Sequence, residues 1–356
     1  MLDSYHAIFT KNLPLLDVRA PVEFQQGAFP TASNLPILDD LDREQIGICY
    51  KNQGPEAATL LGHKLVQGEK KDRIIRQWIE LLERNPATLL YCFRGGQRSS
   101  IAQKWLSKAG YDVKKIEGGY KALRQSLLQV FTQLPKLVII SGRTGTGKTA
   151  LLIRAPAYID LEGRANHRGS AFGSKLTLQP TQINFENMIA IDLLKSPSRV
   201  FVEDEGRLIG RLNVPQALQD GMKKASILLL EDSVENRVDR IFQEYVLDQL
   251  DEYAEPTIAL SSLQEKYEKS LFSIRKRLGG IAYKEASGLM LNAFNLHRKG
   301  DSQGHKKWIA LLLTQYYDPM YDYQLEQKQD RIIASGSQED LLKVMNKAHN
   351  EPSIND

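Results

Sequence analysis

The chain is 356 residues long, 42% hydrophobic and 25% charged, with a formal net charge of +4. That length exceeds what one hydrophobic core usually organises, so two domains are expected, and no apolar run approaches the ~20 residues that cross a bilayer, which argues against a membrane partner. Cys49 and Cys92 are too few for a disulfide scaffold in a chain of this size, and no apolar export segment opens the sequence, so a cytoplasmic protein is expected.

In chain order, the first part alternates short apolar runs with helical stretches. Strands are expected at 14–17, 33–36, 88–92 and 113–116, a turn or short helix at 23–26, and helices at 73–84 and 99–109. A second series begins at Pro135, with a strand at 136–140, a helix at 149–153, and strands at 158–160, 199–202 and 225–230 separated by helical segments. Beyond Ser233 the pattern turns mainly helical, with amphipathic stretches at 234–250, 263–278 and 304–317, and the polar last ten residues are expected to fray. Alternating strand and helix make parallel sheets covered on both faces the economical fold. The expected fold class is therefore α/β, divided into a first domain over 1–130 and a second, with a helical C-terminal part, over 135–350.

Two loops carry the chemistry. The strand at 88–92 runs into Cys92-Phe93-Arg94-Gly95-Gly96-Gln97-Arg98, and a helix follows from Ser99. A thiol there sits among inward-pointing amides, near the positive end of a helix and beside Arg94 and Arg98, and that field favours the thiolate. Two glycines and two arginines within six residues make a merely structural cysteine a poor reading. Cys49 has no such surroundings and reads as a small apolar residue.

The run 15–24, LLDVRAPVEF, followed by residues 27–30 and 32–36, resembles the opening signature of rhodanese-type sulfurtransferase domains. In that family the Asp-Val-Arg strand and the Glu-Phe turn shape the base of the cysteine loop, and Cys92 corresponds to the residue that carries sulfur. Cys92 and Arg98 have five residues between them, the spacing of tyrosine phosphatases and their rhodanese-fold relatives. The larger ring suits a phosphate-sized oxyanion.

The second loop, Gly142-Arg143-Thr144-Gly145-Thr146-Gly147-Lys148-Thr149, lies between a strand and a helix and satisfies G-x-x-x-x-G-K-[ST]. Its amides and Lys148 suit the oxygens of a polyphosphate, and the Thr149 hydroxyl is a possible Mg²⁺ ligand. A metal-holding acid should end a neighbouring strand, and Glu203, Asp204, Glu205 and Asp232 are all candidates. Binding a diphosphate needs only the loop, so a polyphosphate ligand is better supported than ATP hydrolysis.

For a nucleic-acid partner, the Gly-broken stretch carrying Arg164, His167 and Arg168, together with Arg207, Arg211 and the cluster Arg275-Lys276-Arg277, offers phosphate-contacting groups. The last three are equally well explained as a solvated helix face. The tyrosine-rich run 316–323 is expected to pack in the core at a helix end.

Taken along nearly its whole length, the chain closely resembles the bacterial tRNA 2-selenouridine synthases. The resemblance rests on residues 54–63, 92–99, 117–124, 160–163, 167–173, 203–205 and 316–321. It implies a transferase acting on tRNA that carries a wobble 2-thiouridine, with selenophosphate and geranyl diphosphate as co-substrates and no tightly bound cofactor. The 2-thio sulfur would be geranylated at the diphosphate-binding loop and then replaced by selenium, which Cys92 with Arg94 and Arg98 would bind or carry in a donor loop completed by Phe93, Gly95, Gly96 and Gln97. The competing reading is a cysteine-dependent phosphatase of rhodanese fold with a regulatory nucleotide-binding domain.

Overall fold

The computed structural model describes residues 2–350. Two compact units divide the chain: one holds the residues up to Gln133 together with Thr181–Lys195, the other Leu134–Pro180 and the residues from Ser196 on.

In the first unit β1 (Leu15–Asp17), β2 (Ala32–Asn34), β3 (Leu89–Tyr91) and β4 (Lys114–Lys115) form a parallel sheet in the order β2-β1-β3-β4. β1 is wholly buried, as is most of β3, which is why both read as continuous apolar runs. Helix Gly68–Arg84 turns Ile74, Trp78 and Leu82 inward at four-residue spacing. Trp78 stacks on Trp105 at 6.1 Å and donates its indole N–H to the Leu35 carbonyl at 2.8 Å. The sequence had not suggested the helix Asp40–Leu65, which bends at Gly54 (φ 86°) just before Pro55.

Helix Gln182–Lys195 falls inside the stretch read as the second domain yet packs in the first unit. It buries Phe185 and Ile189 completely. Asn184 accepts from the Ala28 amide at 2.7 Å, Asn187 donates to the Ala28 carbonyl at 2.8 Å, and Arg124 reaches both Asn187 and Glu186. Apolar periodicity identifies a helix of this kind but not the unit that covers it.

In the second unit β5 (Lys136–Ser141), β6 (Tyr158–Ile159), β7 (Arg199–Glu203), β10 (Ser226–Leu230) and β11 (Ile332–Gly336) form a parallel sheet in the order β11-β10-β5-β7-β6, and β8 (Leu208–Ile209) pairs with β9 (Leu212–Asn213) as a separate antiparallel ribbon. β5 is central, and its Ile140 stands in register with Glu203 at the end of β7. Beyond Ser233 the chain is mainly helical, as expected, and it adds one strand, β11, that the sequence reading did not include. This half-exposed edge strand has only two strong β-formers, and pairing with β10 determines its state. Around the sheet, helix Val234–Ile241 continues as a π-helical turn, Phe242–Leu247, and His305–Leu312 as another, Leu313–Tyr317. These elements and helices Pro256–Leu278 and Gly280–His297 share a core that includes Val246, Leu263, Tyr267, Phe294 and Trp308. Of the tail expected to fray, residues up to Asn350 close helix Gln338–Asn350, and 351–356 lie outside the described residues. Among the described residues no helix is long and apolar enough to cross a membrane.

Candidate active site: a cysteine ring and a phosphate loop

Cys92 follows directly on β3, is 3% exposed, and has its Sγ 3.2 Å from the Ser99 hydroxyl, which also donates to the Gly96 carbonyl. Helix Gln97–Lys108 begins right after the loop, with Gly96 at its cap. The carbonyls of Cys92 and Phe93 accept from the Tyr120 and Lys121 amides at 2.9 and 3.0 Å, so they face away from the ring. Gly119 lets those segments meet: it adopts φ 54°, and a Cβ there would fall 2.2 Å from the Cys92 carbonyl and 2.5 Å from the Gly95 nitrogen.

Beneath the ring, fully buried Arg19 is paired with Asp17 at 2.6 Å, donates to the Gly27 carbonyl, and lies 3.9 Å over the Tyr120 ring. Arg98 makes a two-point pair with Glu23, at 2.5 and 3.0 Å. Burial pushes the Glu23 carboxyl up, but the pairing outweighs it and holds the group below the usual carboxylate range. Arg98 is thus oriented by Glu23, whereas Arg94 stands exposed on the rim, 6.0 Å from the Phe93 ring. The ring opens into a depression of about 800 Å³ lined by Cys92, Phe93, Arg94, Gly96, Gln97 and Arg98, among others. Cys49 is half-buried and is not among its lining residues.

The second loop runs from the end of β5 into helix Lys148–Leu152, which is five residues long. Lys148 folds back to donate to the Gly142 carbonyl at 3.0 Å, and Thr146 donates to the Arg143 carbonyl at 2.9 Å. Arg143 of the loop grips Asp322 through three bonds of 2.8–2.9 Å. Arg237, 0% exposed, donates to the Thr144 carbonyl and pairs with Asp318. Arg240 donates to the Gly145 carbonyl while pairing with Asp232. The run 316–323 is expected to pack in the core at a helix end. Tyr316 is buried as that reading requires, but Asp318, Tyr321 and Asp322 hold the phosphate loop and β5, with Tyr321 3.0 Å from the Ser141 hydroxyl.

The four candidate acids separate in space. Glu203 and Glu205 converge with Glu162, their ligand oxygens all within 4.8 Å of one another. Asp204 is engaged by Ser141 and Lys328, and Asp232 by Arg240 and Asn236. Glu162, in the Asp-Leu-Glu-Gly motif at 160–163, was not singled out as an acid because nothing local distinguishes it from a first-turn helix carboxylate. Burial, then the charges of Glu203 and Glu205, push the Glu162 carboxyl up to about 9. Burial and Glu203 push Glu205 up to about 7. Burial also raises Glu203, with Lys148 and the Thr149 hydroxyl opposing it. The Glu203 Oε1 atom is buried with no hydrogen-bond partner among the described residues. Three carboxylates, one with an unpartnered oxygen, and an adjacent hydroxyl form an all-oxygen donor set that fits Mg²⁺.

These groups line a cavity of about 830 Å³ above the phosphate loop. Of the basic candidates, His167, Arg168, Lys276 and Arg277 also line it. Burial lowers His167, helped by Lys266 and Lys175, and its Nδ1 and the Arg168 Nη1 are buried with no hydrogen-bond partner among the described residues. Arg164, Arg207, Arg211 and Arg275 do not line the cavity: the first three are exposed, Arg211 is bonded to the Gln179 carbonyl, and Arg275 lies 3.6 Å over Phe272.

Comparison with known proteins matches both units. A family model described as the tRNA 2-selenouridine synthase AAA domain matches residues 135–352, and a rhodanese-like domain model matches residues 2–126. A tRNA 2-selenouridine synthase of Shewanella woodyi is 46% identical over 345 residues, 94% of each chain. One from Pseudomonas savastanoi pv. phaseolicola is 45% identical over 96% of each chain. Among solved structures, the N-terminal domain of an ATP/GTP-binding protein from Clostridium difficile 630 is 34% identical over 33% of this chain and 89% of its own, with a TM-score of 0.31. With a rhodanese-like cysteine ring in one unit, a phosphate loop in the other, and relatives of this identity spanning nearly its full length, the chain belongs to the tRNA 2-selenouridine synthase family.

Proposed function

We propose that the protein replaces the 2-thio sulfur of a wobble 2-thiouridine in tRNA with selenium from selenophosphate, by way of a base S-geranylated from geranyl diphosphate. The observation that most supports this is the presence, in one chain of this family, of a phosphate-sized ring around Cys92 and a separate polyphosphate loop beside clustered carboxylates.

In the first step the thiocarbonyl sulfur attacks the allylic carbon of the donor, the carbon–oxygen bond to diphosphate breaks, and the base loses its N3 proton. The loop amides and Lys148 hold the departing diphosphate. Glu162, Glu203, Glu205 and Thr149 would hold Mg²⁺, which neutralises diphosphate charge when bound. His167, Arg168, Lys276 and Arg277, at the same cavity, suit the tRNA backbone.

In the second step selenium bonds to C2, and geranyl thiol departs with its sulfur. The phosphorus–selenium bond is hydrolysed to phosphate. The ring at Cys92 holds the phosphoryl end of selenophosphate. Electron count favours this over carriage of selenium on the thiol: thiolate attack on selenium would expel phosphorus as phosphite, whereas attack on phosphorus releases hydroselenide and leaves both oxidation states unchanged.

The test is nucleoside mass spectrometry of thiolated tRNA treated with each donor. Cys92→Ser should still geranylate but not selenate, and Lys148→Ala should lose geranylation. Wild-type protein that makes neither product would refute the proposal. The phosphatase reading draws on the Arg98–Glu23 pair and the Ser99 hydroxyl beside Sγ; it requires phosphate release from an aryl phosphate without tRNA.

A further inference from the structure

The cavity over the phosphate loop does not end in polar groups. On one side it runs into a narrow apolar cleft of about 30 Å³, sharing Thr144, Ser170, Ile241, Tyr245 and Tyr317 with it. Beyond that mouth the cleft is lined by Phe172, Trp308, Ile309, Leu312 and Leu313. Of the cleft's three polar aromatic side chains, Trp308 and Tyr245 are already engaged. The Trp308 indole N–H already donates to His305 Nδ1 at 3.0 Å, and Tyr245 lies 3.2 Å from the Ser170 hydroxyl. Trp308 is fixed further by Phe172 at 5.9 Å and Tyr267 at 5.8 Å. At the mouth, Ile241 packs against Gly145 of the loop itself, and the Tyr317 hydroxyl is buried with no partner among the described residues.

Both π-helical turns border this cleft: Phe242–Leu247 supplies Tyr245, and Leu313–Tyr317 supplies Leu313 and Tyr317. Such turns widen a helix locally and concentrate at functional sites.

We infer that the cleft seats the apolar chain of an isoprenoid diphosphate whose head lies on the phosphate loop. This rests on the reading above and locates its donor site. A nucleotide on the same loop would place a base, with donors and acceptors to satisfy, where the walls are chiefly apolar; a hydrocarbon chain needs none. The diphosphate and the first part of the chain fit the large cavity along Ile241 and Tyr317, and the chain end enters the cleft against Leu312 and Leu313. Chain length is then read by the floor of the cleft, where each buried methylene is worth about fourfold in affinity.

The experiment measures binding of inorganic pyrophosphate and of dimethylallyl, geranyl and farnesyl diphosphates, with Mg²⁺, to the full chain and to Leu313→Phe and Leu313→Ala. Filling the floor with Leu313→Phe should lower the geranyl-to-dimethylallyl affinity ratio by on the order of tenfold or more while pyrophosphate binding stays within about twofold. Leu313→Ala should raise the farnesyl-to-geranyl ratio. Because each ratio is internal to one protein, a loss of folded material cancels, and if the Phe variant binds no pyrophosphate the Ala variant decides. Unchanged ratios in proteins that still bind geranyl diphosphate would place the chain elsewhere and overturn this inference while sparing the proposed function. A wild type that binds pyrophosphate equally well with or without a chain would overturn both.

Discussion

If the carboxylates of Glu162, Glu203 and Glu205 hold Mg²⁺, metal binding must displace the protons they carry. With Glu162 near 9 and Glu205 near 7, these two carboxyls together hold about one proton at pH 8 and about two at pH 6 in the metal-free protein. Mg²⁺ affinity should therefore rise on the order of a thousandfold from pH 6 to pH 8, steeply at first and then about tenfold per unit. Calorimetric titration with Mg²⁺ in two buffers of different ionisation enthalpy counts the protons directly. Glu162→Gln removes the group that stays protonated longest, so release at pH 8 should vanish and the rise from pH 6 to 8 should shrink to about tenfold. The sign for stability follows. Both carboxyls are raised in the fold, so their contribution to the metal-free protein is fully present below the ordinary glutamate value of 4.5 and is lost as pH climbs through about 7 and about 9. Added Mg²⁺ should raise the melting temperature more at pH 8 than at pH 6. A Mg²⁺ affinity that changes less than tenfold across this range, or binding without proton release, would refute the reasoning.

Two further substitutions probe the scaffolds under the loops. Gly119→Ala places a Cβ against the Cys92 carbonyl at a positive φ, so it should cost about 1–3 kcal/mol in urea unfolding and abolish selenation while leaving geranylation in place; full selenation would mean the ring tolerates displacement. Arg237→Met strands the Asp318 carboxylate and frees the Thr144 carbonyl, at a cost of about 3–5 kcal/mol, and Arg237→Met with Asp318→Leu should recover much of it. A single variant within about 1 kcal/mol of wild type would show that the pair does not brace the loop.

What could be read from the chain was whatever is coded locally. The strand-to-loop junctions at Cys92 and Gly142, the apolar runs of β1, β3, β5, β7 and β10, and the amphipathic stretches after Ser233 follow from periodicity and turn chemistry, and the two motifs needed no partner to be recognised. The same local evidence says nothing of what Arg143 and Asp232 touch in the fold. Both are candidate ligand-facing groups by sequence, and in the fold each has a charged partner, Asp322 from far along the chain for Arg143 and Arg240 of the following helix for Asp232.

The sequence by itself determined the α/β class, the two anion-binding loops and their order, because each is a short segment whose backbone and neighbours define it. Only the tertiary structure decided that Glu162 joins Glu203 and Glu205, that Glu23 orients Arg98, that helix Gln182–Lys195 completes the first unit, and that an apolar cleft adjoins the phosphate loop. Each of these depends on burial and on contacts between residues far apart in the chain, and neither is written in any local run of residues.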